Sequence, residues 1–187
     1  MNKVFSDFEL DKIGIKIEGS ENYETMECIG ACEEEMETKV ITKSCRGVVK
    51  KKKVKPTGNG TFKLTAHIPW AIYTEIFGMN VEGLIEGVKA YGTNSVHKNF
   101  SSTMHITDED GNEKYKAYPN CVIEKGVARK IENGAEEVAE VELEGSIMPD
   151  EHGNGFYEVL ASELKDENVK TTWMTAFTPE LVQLENA

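Results

Sequence analysis

The chain has 187 residues, of which 39% are hydrophobic and 29% are charged, and its formal net charge is -12. This composition is typical of one globular domain and not of a disordered chain. Because 33 acidic residues outnumber 21 basic ones, the overall field repels polyanions and disfavours general binding to DNA or RNA. No apolar segment is typical of a secretory signal or a membrane span, so we expect synthesis in a cytoplasm and no membrane partner.

Side-chain alternation and turn residues predict mainly antiparallel β-structure. Asn-Gly pairs, which favour the positive φ angles of hairpin turns, occur at 59–60, 133–134 and 154–155, and residues 108–112 form a fourth predicted turn. The predicted strands are residues 40–49, 61–68, 102–107, 114–123, 137–144, 156–160 and 171–177. Together these elements predict an antiparallel β-sandwich or barrel.

The first predicted strand leads into a lysine-rich segment containing Lys50, Lys51, Lys52, Lys53 and Lys55. Neighbouring side chains of an extended strand point to opposite faces, so neither face of this segment is apolar enough for a core. Unbroken extension over residues 40–55 would reach about 50 Å at ~3.3 Å per residue, well beyond a typical strand. Either Gly47 bends the chain or the segment projects as an arm, with residues 56–60 as its tip or return. We therefore expect a long projecting hairpin or loop arm over about residues 40–62.

Charge alone favours two roles equally for this arm. Lysines on a solvated edge strand protect a sheet against aggregation. Alternatively, the lysines contact carboxylates of another subunit, and residues 33–37, with the sequence Glu-Glu-Glu-Met-Glu, are a candidate partner.

A core strand and a short helix follow the arm. In residues 61–68 apolar side chains alternate with polar ones, which predicts one buried face. A helix is predicted over about residues 69–78, with Pro69 at its first position and Gly78 as its C-terminal cap. Its apolar stripe consists of Ile72, Ile76 and either Tyr73 or Phe77. We expect this helix to flank the sheet.

Glutamates alternate with apolar residues in the predicted strand at 137–144. We prefer a strand to a helix here because the alternation continues through Leu143 and an Asn-Gly pair precedes it. Glu140, Glu142 and Glu144 then share the face opposite to the core.

The sequence contains no arrangement that predicts catalysis, a metal site or a cofactor. The four histidines are scattered, and none lies in a nucleophile–base or phosphate-binding motif. Cysteines 28, 32, 45 and 121 lack the second tight pair of a zinc ribbon, so reduced thiols are favoured over zinc. Residues 108–113 begin like a calcium loop, but the glycine is out of register, so a turn is favoured. We predict a protein that is not an enzyme.

Several short stretches occur between residues 68 and 182 in a particular order. They are Ile68-Pro69-Trp70, Phe77-Gly78-Met79, residues 83–92, residues 117–121, residues 133–138, Trp173-Met174 and residues 177–182. In order and spacing they resemble the major tail tube proteins of long-tailed, non-contractile bacteriophages, and the similarity covers roughly residues 25–183.

This resemblance implies a single tail-tube-like β domain over residues 1–187 that assembles into stacked, hexameric rings. The stacked rings form the hollow tail tube of the virion, through which DNA passes to the host. The implied partners are further copies of the chain and the tape measure, tail terminator and tail tip proteins, with DNA only as transient cargo. The chain ends too soon after Val182 for the immunoglobulin-like C-terminal domain that some members carry.

The resemblance also suggests roles for the two charged segments. The lysine arm lies where members of the family reach the neighbouring ring, so its lysines are candidate intersubunit contacts. A tube that conducts DNA gains nothing by gripping phosphates. Glu140, Glu142 and Glu144 are therefore candidate lumen-facing residues, with an ordinary solvated outer face as the equal alternative.

A second function class is a monomeric β-sandwich that binds a carbohydrate or peptide. The aromatic side chains available for stacking would be Trp70, Tyr73, Trp173 and Phe177. Because these residues fall within predicted buried stripes, we favour the tail tube.

Overall fold

The computed structural model describes residues 4–134 and 136–184, and its secondary structure is mainly β. The strands are β1 Glu9–Ile17, β2 Glu24–Met26, β3 Ile29–Cys45, β4 Val48–Ala66, β5 Phe100–Thr107, β6 Glu113–Ile123, β7 Val141–Ile147 and β8 Tyr157–Leu160. The helices are α1 Trp70–Ile76 and α2 Glu167–Ala176, and a 3-10 helix follows at Pro179–Val182. Among the described residues, neither α-helix is long and apolar enough to cross a membrane.

All eight strands belong to one antiparallel sheet with the order β2-β1-β5-β6-β7-β4-β3, and β8 pairs with β6. The predicted class, mainly antiparallel β-structure with a short helix at about residues 69–78, is confirmed. The finer prediction of a sandwich or barrel stays a prediction.

The inner face of the sheet and α1 enclose one hydrophobic core. Strand β1, which was not among the predicted strands, contributes the buried residues Ile13, Ile15 and Ile17. The other large contributions from strands are Leu64, Ala66, Phe100, Met104, Tyr118, Cys121, Ile123, Leu143 and Ile147. The alternation predicted for residues 61–68 therefore points its apolar side chains into this core.

A buried charge joins two strands that are not neighbours in the sheet. Lys116 of β6 is 5% exposed, and its Nζ donates to the Glu34 carboxylate of the end strand β3. The same Nζ lies 4.3 Å from the centroid of the Phe156 ring. Because a buried cation is costly without such partners, this group holds β3 over the face of β6, and the sheet curls around its core.

Helix α1 follows the sequence prediction closely. Pro69 is its N-cap, and Ile72 and Ile76 are buried as predicted, together with both alternatives for the third stripe position, Tyr73 and Phe77. After the helix, Gly78 adopts a φ of 60°, and its N–H donates to the Glu75 carbonyl at 3.0 Å. A side chain on Gly78 would overlap with the Val96 carbonyl oxygen, so both the conformation and the space require glycine.

The prediction of a strand over residues 171–177 is wrong, because all of these residues except the last belong to α2. The Asp166 carboxylate caps α2 by accepting hydrogen bonds from the N–H groups of its first turn. Val169, Trp173 and Phe177 recur every four residues and pack into a second apolar cluster. This helical period outweighs the β-propensity of the three threonines in the segment.

The hairpin turn between β3 and β4 lies at Arg46 and Gly47, with φ angles of 52° and 76°. Two positive φ angles are the signature of the tight turns that suit antiparallel strands. The predicted strand at 40–49 is therefore interrupted, and the predicted tip or return at 56–60 is wrong. Asn59-Gly60 lies inside β4, at a register shift opposite β3. The Asn-Gly pairs at 133–134 and 154–155 lie in longer connections between strands.

The predicted turn at residues 108–112 is confirmed, and residues 150–154 repeat it with the sequences DEDGN and DEHGN. In each turn the aspartate Oδ1 accepts hydrogen bonds from the N–H groups two and four residues later. Burial raises the pKa of Asp108 and Asp150, but these hydrogen bonds outweigh it, so both pKa values lie below the usual range. The repeated pentapeptide is the sequence signal for the second turn.

The close approach at Gly78 predicts a specific loss of stability in Gly78→Ala. We expect Gly83→Ala, which also has a positive φ but no atom within 4 Å of an added Cβ, to lose about 1–2 kcal/mol through backbone strain. Gly78→Ala adds the overlap with Val96 and is expected to lose about 1–3 kcal/mol more, as measured by urea unfolding. Equal losses in the two variants would contradict the overlap.

Candidate assembly surfaces

Half of the β3–β4 hairpin pairs only with itself. Strand β7 pairs with β4 from Gly60 to Ala66, whereas the β3–β4 ladder continues from Thr38 opposite Pro56 to the turn. We call residues 38–56 the distal hairpin. All of its side chains are exposed. Its strand segments, residues 38–45 and 48–56, reach roughly 25–30 Å at ~3.3 Å per residue, and both edges lack a further strand among the described residues.

The distal hairpin concentrates positive charge. Its cationic residues are Lys39, Lys43, Arg46, Lys50, Lys51, Lys52, Lys53 and Lys55, and no carboxylate occurs between residues 38 and 56. The remainder of the chain therefore holds 13 of the 21 basic residues and all 33 acidic ones. The distal hairpin is therefore positively charged, and the remainder of the molecule is negatively charged.

The strand register places like charges directly opposite one another. Lys39 faces Lys55, and Lys43 faces Lys51, on the same side of the hairpin as Lys53. Directly opposed like charges destabilise a strand pair. Within the described residues, no carboxylate lies at ion-pairing distance from these lysines. The distal hairpin thus carries a repulsion that its own subunit does not relieve.

The structure brings together two of the three glutamates predicted to share a face. Glu142 and Glu144 lie on the outer side of β7, and Lys63 Nζ lies 2.8 Å from the Glu142 carboxylate. The hydrogen bond from Lys63 holds the pKa of Glu142 below its usual range. Glu144 pairs with Lys125. Both candidate lumen carboxylates are therefore partly neutralised within the subunit.

Glu140 lies apart from this pair, which corrects the predicted strand at 137–144. Pairing of β7 with β4 begins at Val141, opposite Ala66, the last residue of β4. Residues before Val141 have no β4 residue opposite them and leave the sheet. The Glu140 carboxylate instead lies over the backbone of Gly30.

The acidic run at residues 33–37 is divided between two environments. Glu34 forms an ion pair with Lys116 of its own subunit. Glu33 and Glu35 stay exposed and lie opposite Lys63 and Thr61 of β4. The outer surface of β3, β4 and β7 then carries a set of carboxylates that we call the carboxylate face. Its members are Glu33, Glu35, Glu124, Glu142 and Glu144.

The cysteines differ in their surroundings. Cys121 is buried in the core, and Cys32 is half-buried beside it. Burial, with the nearby Glu34 carboxylate, raises the pKa of Cys32 to about 11. Cys28 and Cys45 are exposed, and Cys45 lies next to the hairpin turn.

Possible metal ligands converge at one surface position among the described residues. Ligand atoms of Glu151, His152 and Glu180 lie within 4.8 Å of one another, and all three residues are exposed. Exposed acidic groups are common without a bound ion in a chain of this charge, so this position implies no cofactor.

The aromatic residues proposed for ligand stacking are mostly in the interior. Tyr73, Trp173 and Phe177 are buried. Trp70 is 56% exposed, contrary to the predicted buried stripe, and its ring stacks on Tyr73 with the Arg129 guanidinium 5.3 Å from its centroid. Of the four aromatic residues considered for stacking, Trp70 alone offers an exposed ring to a sugar or peptide.

The chain matches no protein-family model and no curated protein. The distal hairpin and the carboxylate face are the two described surfaces on which charged side chains are concentrated.

The opposed lysines predict that reversing one strand's charges orders the distal hairpin. In the double variant Lys39→Glu and Lys43→Glu, both like-charged pairs become opposite-charged, so we expect amide exchange of residues 38–56 to slow several-fold at low salt. Hydrogen exchange followed by mass spectrometry measures this effect.

A matched control changes the same net charge elsewhere on the hairpin. Lys52 faces Thr42, and Lys50 lies at a register shift with no residue directly opposite it. The double variant Lys50→Glu and Lys52→Glu should therefore slow exchange less. An equal effect in both variants would mean that net charge, and not the opposed pairs, governs the hairpin.

Proposed function

We propose that this chain is a structural virion protein that self-assembles into stacked, hexameric rings and forms the tail tube of a bacteriophage. The observation that carries the proposal is the distal hairpin, an exposed cationic ribbon whose opposed lysines destabilise it in the isolated subunit. An assembly partner that supplies carboxylates turns this cost into intersubunit attraction. The order of short stretches that resemble tail tube proteins supports the same function.

Charge favours a second copy of the chain over nucleic acid as the partner of the hairpin. The body beyond the distal hairpin has 33 acidic residues against 13 basic ones. A long polyanion bound to the hairpin would also run past this acidic body and be repelled by it, whereas a second copy can offer carboxylates to the hairpin alone. The lysines therefore favour contact between subunits.

The carboxylate face suits the wall of a DNA conduit. Its five carboxylates are offset by two lysines, Lys63 and Lys125. A wall with a small negative excess repels phosphates without gripping them, so DNA slides past it. Glu142 and Glu144 stay candidates for this role, whereas Glu140 lies outside the carboxylate face.

Electron microscopy of the purified protein tests the proposal. We expect rings or long hollow tubes, which lengthen as protein concentration rises. Replacing Lys50, Lys51, Lys52 and Lys53 with glutamate should abolish stacking, and the circular dichroism spectrum should stay that of the folded subunit. A species that is strictly monomeric at all concentrations, even after seeding with a tail tip, would refute the tail tube.

Neutralising the carboxylate face tests its role separately. We expect the variant with Glu33, Glu35, Glu142 and Glu144 all changed to glutamine to form tubes and to deliver DNA less efficiently, as measured by the plaque-forming efficiency of reconstituted particles. The control changes Glu18 and Glu21, exposed residues outside this face, to glutamine and should deliver DNA normally. Loss of tube formation would instead place the carboxylate face at a subunit interface.

A further inference from the structure

A wide groove lies beyond the end of β4 that is opposite to the distal hairpin. Its volume is about 980 Å³. We call it the pole groove, and the lining residues that matter here are His67, Ile131, Glu132, Glu137, Val138 and Glu140. His67 directly follows the last residue of β4, whereas the hairpin turn directly precedes the first.

The hairpin turn and the pole groove are therefore separated by the whole of β4, and residues 57–66 lie between the distal hairpin and the groove. A strand of 19 residues extends over about 60 Å at ~3.3 Å per residue. The distal hairpin of a subunit has no route to the pole groove of the same subunit.

The pole groove is both acidic and apolar. Ile131 is 89% exposed and Val138 is 81% exposed, so two apolar side chains of the groove lie open to solvent. Three carboxylates line the same groove, and its one lysine, Lys130, is held 2.8 Å from Glu132. An excess of negative charge thus surrounds exposed apolar surface.

The distal hairpin has the complementary composition. Exposed apolar side chains lie among its lysines, and they are Val40, Ile41, Val48, Val49 and Val54. Val40 faces Val54 across the ladder, yet all five apolar side chains stay about half exposed, and the cations have no carboxylate within the hairpin. Cationic and apolar groups on one surface match carboxylates and apolar groups on the other in both respects.

We propose that the distal hairpin of one copy docks in the pole groove of a second copy. This inference rests on the proposed function as a stacked assembly, and it names the contact that joins one layer to the next. The hairpin lysines pair with Glu132, Glu137 and Glu140, and Ile41 and Val48, on the same face as Lys51, Lys53 and Lys55, cover Ile131 and Val138. Because the two surfaces are different and lie at opposite ends of β4, the contact is head-to-tail and leaves a free hairpin and a free groove for further copies.

The proposal gives Glu140 a role distinct from that of Glu142 and Glu144. Glu140 lies in the pole groove, whereas the other two lie on the carboxylate face and are paired with lysines of their own subunit. Reversal of Glu140 should therefore affect stacking.

A charge exchange tests the docking. The hairpin variant changes Lys51, Lys53 and Lys55 to glutamate, and the groove variant changes Glu132, Glu137 and Glu140 to lysine. We expect each variant alone to raise the protein concentration needed for tubes at least tenfold in sedimentation and electron microscopy. One chain that carries both sets of changes should recover assembly, because every contact pair is then reversed.

The matched control combines the hairpin variant with lysines at Glu18, Glu21 and Glu24, which are exposed and lie outside the groove. This chain has the same net charge as the exchanged chain, and it should not recover assembly. Recovery in the control, or none in the exchanged chain, would overturn the proposed contact.

The exposed thiol next to the turn supplies an independent measurement. In a Cys28→Ser background, Cys45 is the exposed thiol, while Cys32 and Cys121 are half-buried and buried. We expect maleimide labelling of Cys45 to slow at least tenfold in tubes relative to dissociated subunits.

The outcomes separate this contact from the proposed function. Tubes with freely reactive Cys45, or tubes that form normally from the groove variant, would overturn the docking and leave the tail tube intact. Wild-type protein that forms neither rings nor tubes would overturn both. Binding of duplex DNA by wild-type protein that the hairpin variant loses would assign the hairpin to nucleic acid and overturn the docking.

Discussion

The unequal lengths of paired strands govern the surface of this molecule. Strand β7 covers only the segment of β4 from Gly60 to Ala66, yet β3 and β4 continue to pair far beyond it. The covered half of the ladder packs against the core, and the uncovered half has water on both faces. A backbone ladder can extend in this way because its hydrogen bonds are satisfied locally, whatever its side chains are. The side chains of that half do not have to fill a hydrophobic core, so they are free to contact another molecule.

Charge follows the same division. Cations gather on the uncovered ribbon, and carboxylates occupy the body, including the carboxylate face and the pole groove. In one subunit this arrangement is a cost, because Lys39 and Lys43 face Lys55 and Lys51. Between subunits it becomes directional attraction, since the positive end of one copy finds negative surface on the next. Within the body the same principle works at short range, where Lys116 is buried against Glu34 and Lys63 neutralises Glu142.

Sequence patterns located the regular elements well where one period persisted. Helix α1 and strands β5 and β6 lie where periodicity and flanking turn residues placed them. The missed strand β1 alternates isoleucines at 13, 15 and 17, which is a usable signal. The strand prediction for residues 171–177 was wrong because it gave weight to the β-propensity of the threonines. The Asp166 cap and the four-residue spacing of Val169, Trp173 and Phe177 indicate a helix instead.

The amino-acid sequence by itself determined the antiparallel β class, the extent of α1 and the accumulation of cations in one short segment, because periodicity, capping and net charge are local properties. Only the tertiary structure decided that the hairpin turns at Arg46-Gly47, that β7 begins at Val141, and that Glu140 is separated from Glu142 and Glu144. The last two depend on where the distant strand β4 ends, and the position of the turn depends on which residues of β3 and β4 pair. Pairing register is a relation between segments remote in sequence, so the local pattern of either segment does not contain it.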